Sequence, residues 1–487
     1  MLLKLQESEG PLHRRICDSL KLAIRSGRLE SGARLPSTRG LASDLSVSRN
    51  TVALAYEQLV AEGYVVARAR SKMAVAEGSP APAKSARPAL RLIERPRLSA
   101  YGQRIAVDPG PPPSGSYTRR PGVRWDFRYG RPVVDEFPRE IWRQLISQRT
   151  KRATLDAYGY AAPEGYRPLR EALTGYLWRA RGIACDAEQI VIVNGSQQAF
   201  DLVARVLLDA GDRVVIEEPH YHGSRMVFES VGARCVAVPV DAHGLDTARL
   251  PPTDADTRLV CVTPCYQFPT GVVMPMGRRL ALLDWARRSG SWIVEDDYVS
   301  EFRYQGRPIE ALQSLDSAGR VLYIGTFSKT LFPALRLAYL VLPPALVAPV
   351  VTAKWLADRY SAMLGQEALT DFITSGRFER YLRRACALNA ARRLALVEAL
   401  HQHLGDRIEI AGENAGVHML VWLNGVARGE VGGLITRAAE AGVGLYPIDA
   451  YFSRPPPRAG LLFGYASLTD RDIRAGVKRF AQVLDGK

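Results

Sequence analysis

The chain has 487 residues, 47% apolar and 24% charged, with a net charge of +15. That length is too great for one simple core and predicts two to four domains of ordinary globular composition. No run of about 18 apolar residues occurs, and Glu7 and Glu9 lie where a secretion signal needs an apolar stretch, so a cytoplasmic location is expected. The six cysteines are scattered; Cys261 and Cys265 lie close, but without a second pair or histidines at metal-ligand spacing, so reduced thiols and no metal site are expected. Lys and Arg exceed Asp and Glu by four over residues 1–77, by seven over 78–124 and by only four over the remaining three quarters. The excess favours a polyanionic partner near the N-terminus.

Residues 11–26 place Leu12, Ile16, Leu20, Ala23 and Ile24 at helical spacing, which predicts an amphipathic first helix. Beyond glycines 27 and 32, Ser37 follows a proline and caps a short helix carrying Leu41, Ala42 and Leu45; Ser48 caps another bearing Val52, Ala55, Tyr56, Leu59 and Val60. Two such helices joined at Ser46 and Val47 make a helix-turn-helix, the second presenting Ser48, Arg49, Asn50 and Thr51 from its N-terminal end. Those side chains donate to phosphates and base edges. The string RLPSTRGLASDLSVSRNTVALAY, residues 34–56, resembles the winged-helix DNA-binding domain of GntR-type transcription regulators. The resemblance implies Arg34, Arg39, Ser48, Arg49 and Thr51 as DNA contacts. It departs at the wing, where a glycine-rich tip is usual and this chain has ARARSKMAVA from Ala67, kept basic by Arg68, Arg70 and Lys72.

From Gly78 to Arg124 the composition turns to Pro, Ala and Arg with no sustained period of 2 or 3.6, which predicts a semi-stiff linker. Its segment 89–98 has the apolar content to dock on a neighbouring domain. From Trp125 onward, short apolar runs alternate with helical patterns. Strands are expected at residues 190–193, 213–216, 235–240, 259–263, 292–294, 321–324 and 338–342. Such alternation indicates a mostly parallel sheet covered on both faces, with ligands beyond the carboxyl ends of its strands.

Polar motifs fall at those ends. Gly195 and Ser196 open a helix whose first amides and dipole suit a phosphate, Tyr221 offers a ring to stack on a planar ligand, and the strand at 292–294 ends in Glu295, Asp296, Asp297 and Tyr298. The strand at 321–324 leads into GTFSKTLFPALRLAY, where Lys329 lies among Thr326, Ser328 and Thr330, seven residues before Arg336. A lysine so placed suits a Schiff base with an aldehyde cofactor whose phosphate the hydroxyls and arginine hold. A carboxylate against a pyridine nitrogen keeps it protonated, and Asp296 is the candidate.

With these motifs in order, residues from about 125 to 485 resemble a fold-type I pyridoxal-phosphate aminotransferase, and the fusion behind a GntR-type winged helix resembles the MocR/GabR-type transcription regulators. The resemblance implies a multidomain protein: a winged helix over 1–77, a linker over 78–124, and an α/β aminotransferase class I-like domain over 125–487. A smaller α+β subdomain would comprise roughly 125–150 and 396–487. It implies pyridoxal 5'-phosphate bound to Lys329, with Asp296 on the ring nitrogen, Tyr298 at the ring hydroxyl and Tyr221 stacking. Phosphate contacts would come from Gly195, Ser196, Thr326, Ser328 and Arg336, and a homodimer would bring in Tyr160, or Tyr158, from the other subunit.

Four departures qualify the carry-over. Phe268 stands where aminotransferases have the asparagine of NPTG, leaving Gln267 as a substitute; Tyr266 replaces a histidine common in the regulators; Ala338 replaces a glycine. Leu462 occupies the place of the arginine that binds a substrate α-carboxylate, which would be lost or moved to Arg225, Arg454 or Arg458. Productive turnover needs a substrate held in one orientation. The departures therefore point to a DNA-binding regulator that senses an amine or amino acid by displacement of Lys329, with residual aminotransferase-type activity compatible. Two other readings stay open: an active aminotransferase with an accessory DNA-binding domain, and a regulator that senses pyridoxal phosphate itself.

Overall fold

The computed structural model describes residues 10–68, 72–77, 97–106, 121–153, 159–304, 306, 309–412 and 414–486. It divides into two compact units, residues 1–97 and 98–487. Among the described residues, no helix is long and apolar enough to cross a membrane.

The first unit contains α1 (Leu12–Arg25), α2 (Thr38–Asp44), α3 (Arg49–Ala61) and the antiparallel hairpin β1 (Val65–Arg68) with β2 (Lys72–Val75). The caps are those that the sequence predicts. Ser37 Oγ accepts from the Gly40 amide and Ser48 Oγ from the Thr51 amide, both at 3.1 Å, each satisfying an otherwise orphaned first-turn donor. Ser46, at φ 55°, makes the turn between the helices. Ile16, Leu20, Val52, Tyr56 and Leu59 close the core, and the Tyr56 hydroxyl donates to the Pro36 carbonyl at 2.9 Å. The hairpin tip, with Arg70, lies outside the described residues.

The second unit opens with α4 (Ala100–Ala106), β3 (Trp125–Asp126), α5 (Arg139–Arg152), α6 (Arg167–Arg181), β4 (Ile190–Val193), α7 (Ser196–Leu207), β5 (Arg213–Glu218) and α8 (His222–Ser230). It continues with β6 (Arg234–Asp241), β7 (Gly244–Leu245), β8 (Thr257–Val262), α9 (Met276–Ser289), β9 (Trp292–Asp297), β10 (Val321–Thr326) and β11 (Ala338–Val341). Then come α10 (Pro344–Asp358), α11 (Met363–Thr374), α12 (Arg377–Leu404), β12 (Ile408–Ala411), β13 (His418–Leu423) and α13 (Val431–Glu440). The last elements are β14 (Val443–Gly444), β15 (Tyr446–Pro447), β16 (Gly460–Gly464) and α14 (Asp470–Leu484).

Eight strands form the main sheet in the order β4-β11-β10-β9-β8-β5-β6-β7, with β7 and β11 antiparallel to their neighbours and the rest parallel. All seven expected strands are in it. Both faces are covered, which explains why the strands read as continuous apolar runs. Val214, Ile216, Leu259 and Cys261 pack towards α7, α8 and α10, whereas Val215, Val260 and Val262 face Leu282 and Trp285 of α9. A smaller antiparallel sheet, β12-β13-β16-β15, carries a second core under the C-terminal half of α12, α13 and α14.

Two boundary expectations change. The stretch read as linker, 78–124, contains α4, whose Arg104 Nε donates to the Ser230 carbonyl at 2.8 Å, because a seven-residue helix is too short to announce itself by periodicity. Of the segment 89–98, residues 89–96 lie outside the described ones. The small subdomain does not extend to residue 150: Phe127 belongs to its core, but Leu145 of α5 packs into the main one.

Gly325 in β10 faces Tyr339 of β11, its register partner, and a Cβ there would enter the buried phenol ring. Gly325→Ala is therefore expected to cost about 1–3 kcal/mol of stability by overpacking, read as a lowered urea midpoint.

Candidate functional site

The carboxyl ends of β4, β5, β8, β9 and β10 lie along one edge of the main sheet, as their mutual direction requires. Lys329 lies three residues beyond the end of β10. Its Nζ donates to the Gly130 carbonyl at 2.8 Å, and burial lowers its pKa to about 8 against the opposing pull of Asp296. Asp296 sits at the end of β9, where burial and the carboxylates of Asp297 and Glu217 push its carboxyl up to about 7. Its Oδ1 is buried without a hydrogen-bond partner, as is the hydroxyl of Tyr298. Buried polar atoms are rarely left so. Asp297, by contrast, is spoken for: it pairs with Arg181 at 2.6 Å and accepts from the Tyr323 hydroxyl at 2.7 Å.

The residues expected to contact a phosphate lie on three segments. Gly195, at φ 97°, caps α7, and a Cβ there would lie 2.5 Å from Arg336 Nη2, so the glycine admits the guanidinium. Arg336 donates to the Asn194 carbonyl at 2.6 Å, and Ser196 is the first residue of α7. Thr326 Oγ1 donates to Ser328 Oγ at 3.1 Å and accepts from the Ser328 amide at 3.2 Å, which folds the turn before Lys329. Tyr221 caps α8 and meets Phe268 edge to face at 5.7 Å. Tyr160 is 83% exposed, with the Arg359 guanidinium over its ring at 5.2 Å; Tyr158 lies outside the described residues.

The departures take definite form. Gln267 does not substitute for an asparagine at the site: its amide group donates to Pro219 O at 2.8 Å and Phe268 O at 2.6 Å, while its oxygen accepts from Thr270 Oγ1 at 2.6 Å. Tyr266 is structural, donating to the His418 carbonyl at 2.6 Å, and Ala338 is buried in β11 opposite Thr326. Leu462 is fully buried beside Phe268 and Tyr451. Two of the three arginines considered as replacements are committed elsewhere, Arg225 to Glu229 at 2.7 Å and Arg458 to Glu409 at 2.6 Å; the backbone amide of Arg454 donates to Glu218 at 3.3 Å. Sequence reasoning missed Glu217, which is buried against Thr263 and Gln267 with its carboxyl pushed up to about 7 by burial. It also missed the Gly130 carbonyl, whereas Thr330, one of the hydroxyl residues around Lys329, has its Oγ1 buried without a partner. Only Glu217 had a visible signal, as one of the paired carboxylates ending β5.

In the first unit Arg34, Arg39 and Arg49 are exposed, and Arg49 Nε approaches Thr38 Oγ1 at 3.4 Å. Ser48 and Thr51 hydroxyls bond each other at 2.7 Å, so both serve the cap of α3. On the hairpin, Arg68 pairs with Glu77 at 2.7 Å and Lys72 is exposed.

The chain matches the family described as aminotransferase class I and II over residues 136–439 and that of bacterial regulatory proteins, gntR family, over 12–75. It is 38% identical to the probable rhizopine catabolism regulatory protein MocR of Rhizobium meliloti over 98% of this chain and 94% of that one. It is 33% identical to the HTH-type transcriptional regulator TauR of Rhodobacter capsulatus over 98% and 97%. Among solved structures, the α-aminoadipate aminotransferase LysN of Thermus thermophilus, complexed with N-(5'-phosphopyridoxyl)-L-leucine, is similar at 30% identity and a TM-score of 0.69, covering 75% of this chain and 93% of that one.

Proposed function

We infer the function from one premise: the chain belongs to the MocR-type GntR regulators, in which a DNA-binding domain is joined to an aminotransferase class I and II domain. It is a DNA-binding transcription regulator with pyridoxal 5'-phosphate as its cofactor. Our reading is that the second unit senses a primary amine at Lys329 and that the response changes how the first unit engages its operator. The observation that carries it is the buried, partnerless Asp296 Oδ1 electrostatically coupled to a Lys329 whose ammonium is destabilised by burial.

The residues fit the cofactor. Asp296 would face the pyridine nitrogen, Tyr298 the ring hydroxyl and Tyr221 the ring face, with Gly195, Ser196, Thr326, Ser328 and Arg336 about the phosphate. Pyridoxal 5'-phosphate, when bound, supplies an aldehyde that condenses reversibly with primary amines. Lys329 would be the residue that holds the aldehyde and that an effector amine would compete with, and the Gly130 carbonyl, 2.8 Å from its Nζ, would accept from the free amine. Regulation then requires only that the effector bind one arrangement of the protein better than another.

A titration of the cofactor-loaded protein with primary amines, followed by visible absorbance and by operator mobility shift, tests the reading. A reversible spectral change with altered DNA binding supports it. Lasting loss of absorbance with release of an oxo acid would make the protein an aminotransferase instead, and a DNA response to cofactor without amine would make the cofactor the signal.

The lowered lysine pKa has a kinetic consequence. With a pKa of about 8, roughly a tenth of Lys329 is neutral at pH 7, some ~300-fold more than at the ordinary 10.5. Cofactor capture by the apo protein is expected to accelerate with pH up to about 8 and then level off; a rise continuing past pH 10 would show that burial does not prime this amine.

We further propose a homodimer in the cytoplasm. Leu356 is 73% exposed on α10 beside Trp355, which shares the Arg359 guanidinium with the exposed Tyr160. Such an apolar patch suits a partner subunit. Leu356→Asp is expected to raise the dimer dissociation constant at least about tenfold in sedimentation analysis.

A further inference from the structure

Beside Lys329 the site has a second wall, and it is aromatic and uncharged. Phe268 is its hub, meeting Tyr221 at 5.7 Å, Tyr298 at 5.8 Å and Tyr451 at 4.9 Å, all edge to face. Leu462 of β16 is buried in the same cluster, with Tyr129 and Tyr298 packed against it. Tyr129, whose ring meets Phe268 at 6.4 Å, directly precedes Gly130, the residue whose carbonyl accepts from Lys329 Nζ at 2.8 Å, so this wall adjoins the amine-exchange position. The hydroxyls of Tyr129 and Tyr451 hydrogen-bond each other.

Among the described residues, Arg454, three residues beyond Tyr451, carries its side chain at the exposed surface while its backbone amide donates to Glu218 at 3.3 Å, and the other basic groups around the cluster are neutral or paired. His418, whose ring meets Phe268 at 5.6 Å, is held neutral, its pKa lowered to about 4 by burial and by the charge of Lys329. Arg128 lies 3.4 Å from Asp126 and donates to the Tyr446 hydroxyl at 2.9 Å. Arg225 and Arg458 are committed to Glu229 and Glu409. A carboxylate brought against Phe268 and Leu462 would shed its water and receive neither a counter-charge nor a full set of donors, which is the unfavourable case for a buried ion. An alkyl or aryl body gains there by burial.

We propose that this wall selects a primary amine with an uncharged body and rejects α-amino acids, with Phe268 and Leu462 as the residues that exclude the carboxylate. The proposal rests on the reading of Lys329 as an amine-exchange site and names the class of amine that site takes. Leu462 thus becomes a specificity determinant rather than a missing part.

Matched pairs test it in the cofactor-loaded full-length protein: 2-phenylethylamine against L-phenylalanine, and isoamylamine against L-leucine, each pair differing by one carboxylate. The amines are expected to half-saturate the absorbance change at a concentration at least about a hundredfold lower than their amino acids, and to alter operator mobility in the same order. Equal or tighter response to the amino acids overturns the class while leaving amine sensing intact. If no member of either pair changes the spectrum, amine sensing itself falls and the class with it. Leu462→Arg is expected to narrow the ratio at least about tenfold. Should the buried arginine unfold the small sheet, Leu462→Gln, which offers a neutral donor, is expected to narrow it in the same direction. A ratio unmoved in a folded variant overturns the assignment to Leu462.

Discussion

Lys329→Ala is expected to abolish borohydride-trapped attachment of pyridoxal phosphate, leaving only a weaker, non-covalent association through the Arg336 side of the site. The second buried lysine provides the control. Lys354 is fully buried but bonded to Asp358 at 2.8 Å, so its ammonium has a counter-charge and Lys354→Ala should leave the trapped adduct in place. The same variant carries a stability signature. The folded pKa of Lys329, about 8, lies below the ordinary 10.5, so between these values the unfolded chain binds more protons and apo wild-type stability rises with pH. Below pH 8 the full cost of burying the ammonium applies, on the order of 3 kcal/mol. Lys329→Ala should lose that rise, so the difference between the two proteins changes across pH 8–10.5 in urea unfolding. A mass increment persisting on the variant after borohydride would place the attachment elsewhere. A pH-independent stability difference would show that Lys329 is not desolvated.

Much of this site was legible because its parts are local in sequence: a strand, its carboxyl end and the first residues after it. Asp296, Tyr298, Lys329 and the Gly195 turn all follow that rule. What escaped reading comes from pairings over long sequence separations. The Gly130 carbonyl meets Lys329 across 199 residues, and the Tyr129 and Tyr451 hydroxyls meet across 322. Gln267 shows a subtler limit. Its position beside Phe268 suggested a ligand contact, but a glutamine in a buried turn is claimed first by the unsatisfied backbone around it, here the carbonyls of Pro219 and Phe268. The linker misled for a different reason: Pro- and Arg-rich composition describes an average, and α4 is a seven-residue exception within it.

Arg49→Ala is expected to weaken operator binding by about 1–3 kcal/mol, a ~5–150-fold loss, without altering the cofactor spectrum. Arg49 opens α3, is exposed, and among the described residues hydrogen-bonds Thr38 Oγ1 at 3.4 Å, so its removal leaves the Ser48 cap and the core on Leu59 and Tyr56 intact. Ser48→Ala is the informative contrast, because that hydroxyl caps the helix and bonds Thr51. Its loss should lower the stability of the first unit by roughly 0.5–2 kcal/mol as well as DNA affinity. For Arg49→Ala the salt dependence separates two roles. A contact to phosphate weakens all sequences alike and flattens the slope of log affinity against log salt by about one; a contact to a guanine edge keeps the slope and relaxes specificity at one base pair. Wild-type affinity at matched salt would put the DNA-reading surface somewhere other than the N-terminus of α3. Because the core of the first unit contains no residue of the cofactor site, a spectrum unchanged alongside a lost operator complex would also establish that cofactor binding does not depend on DNA.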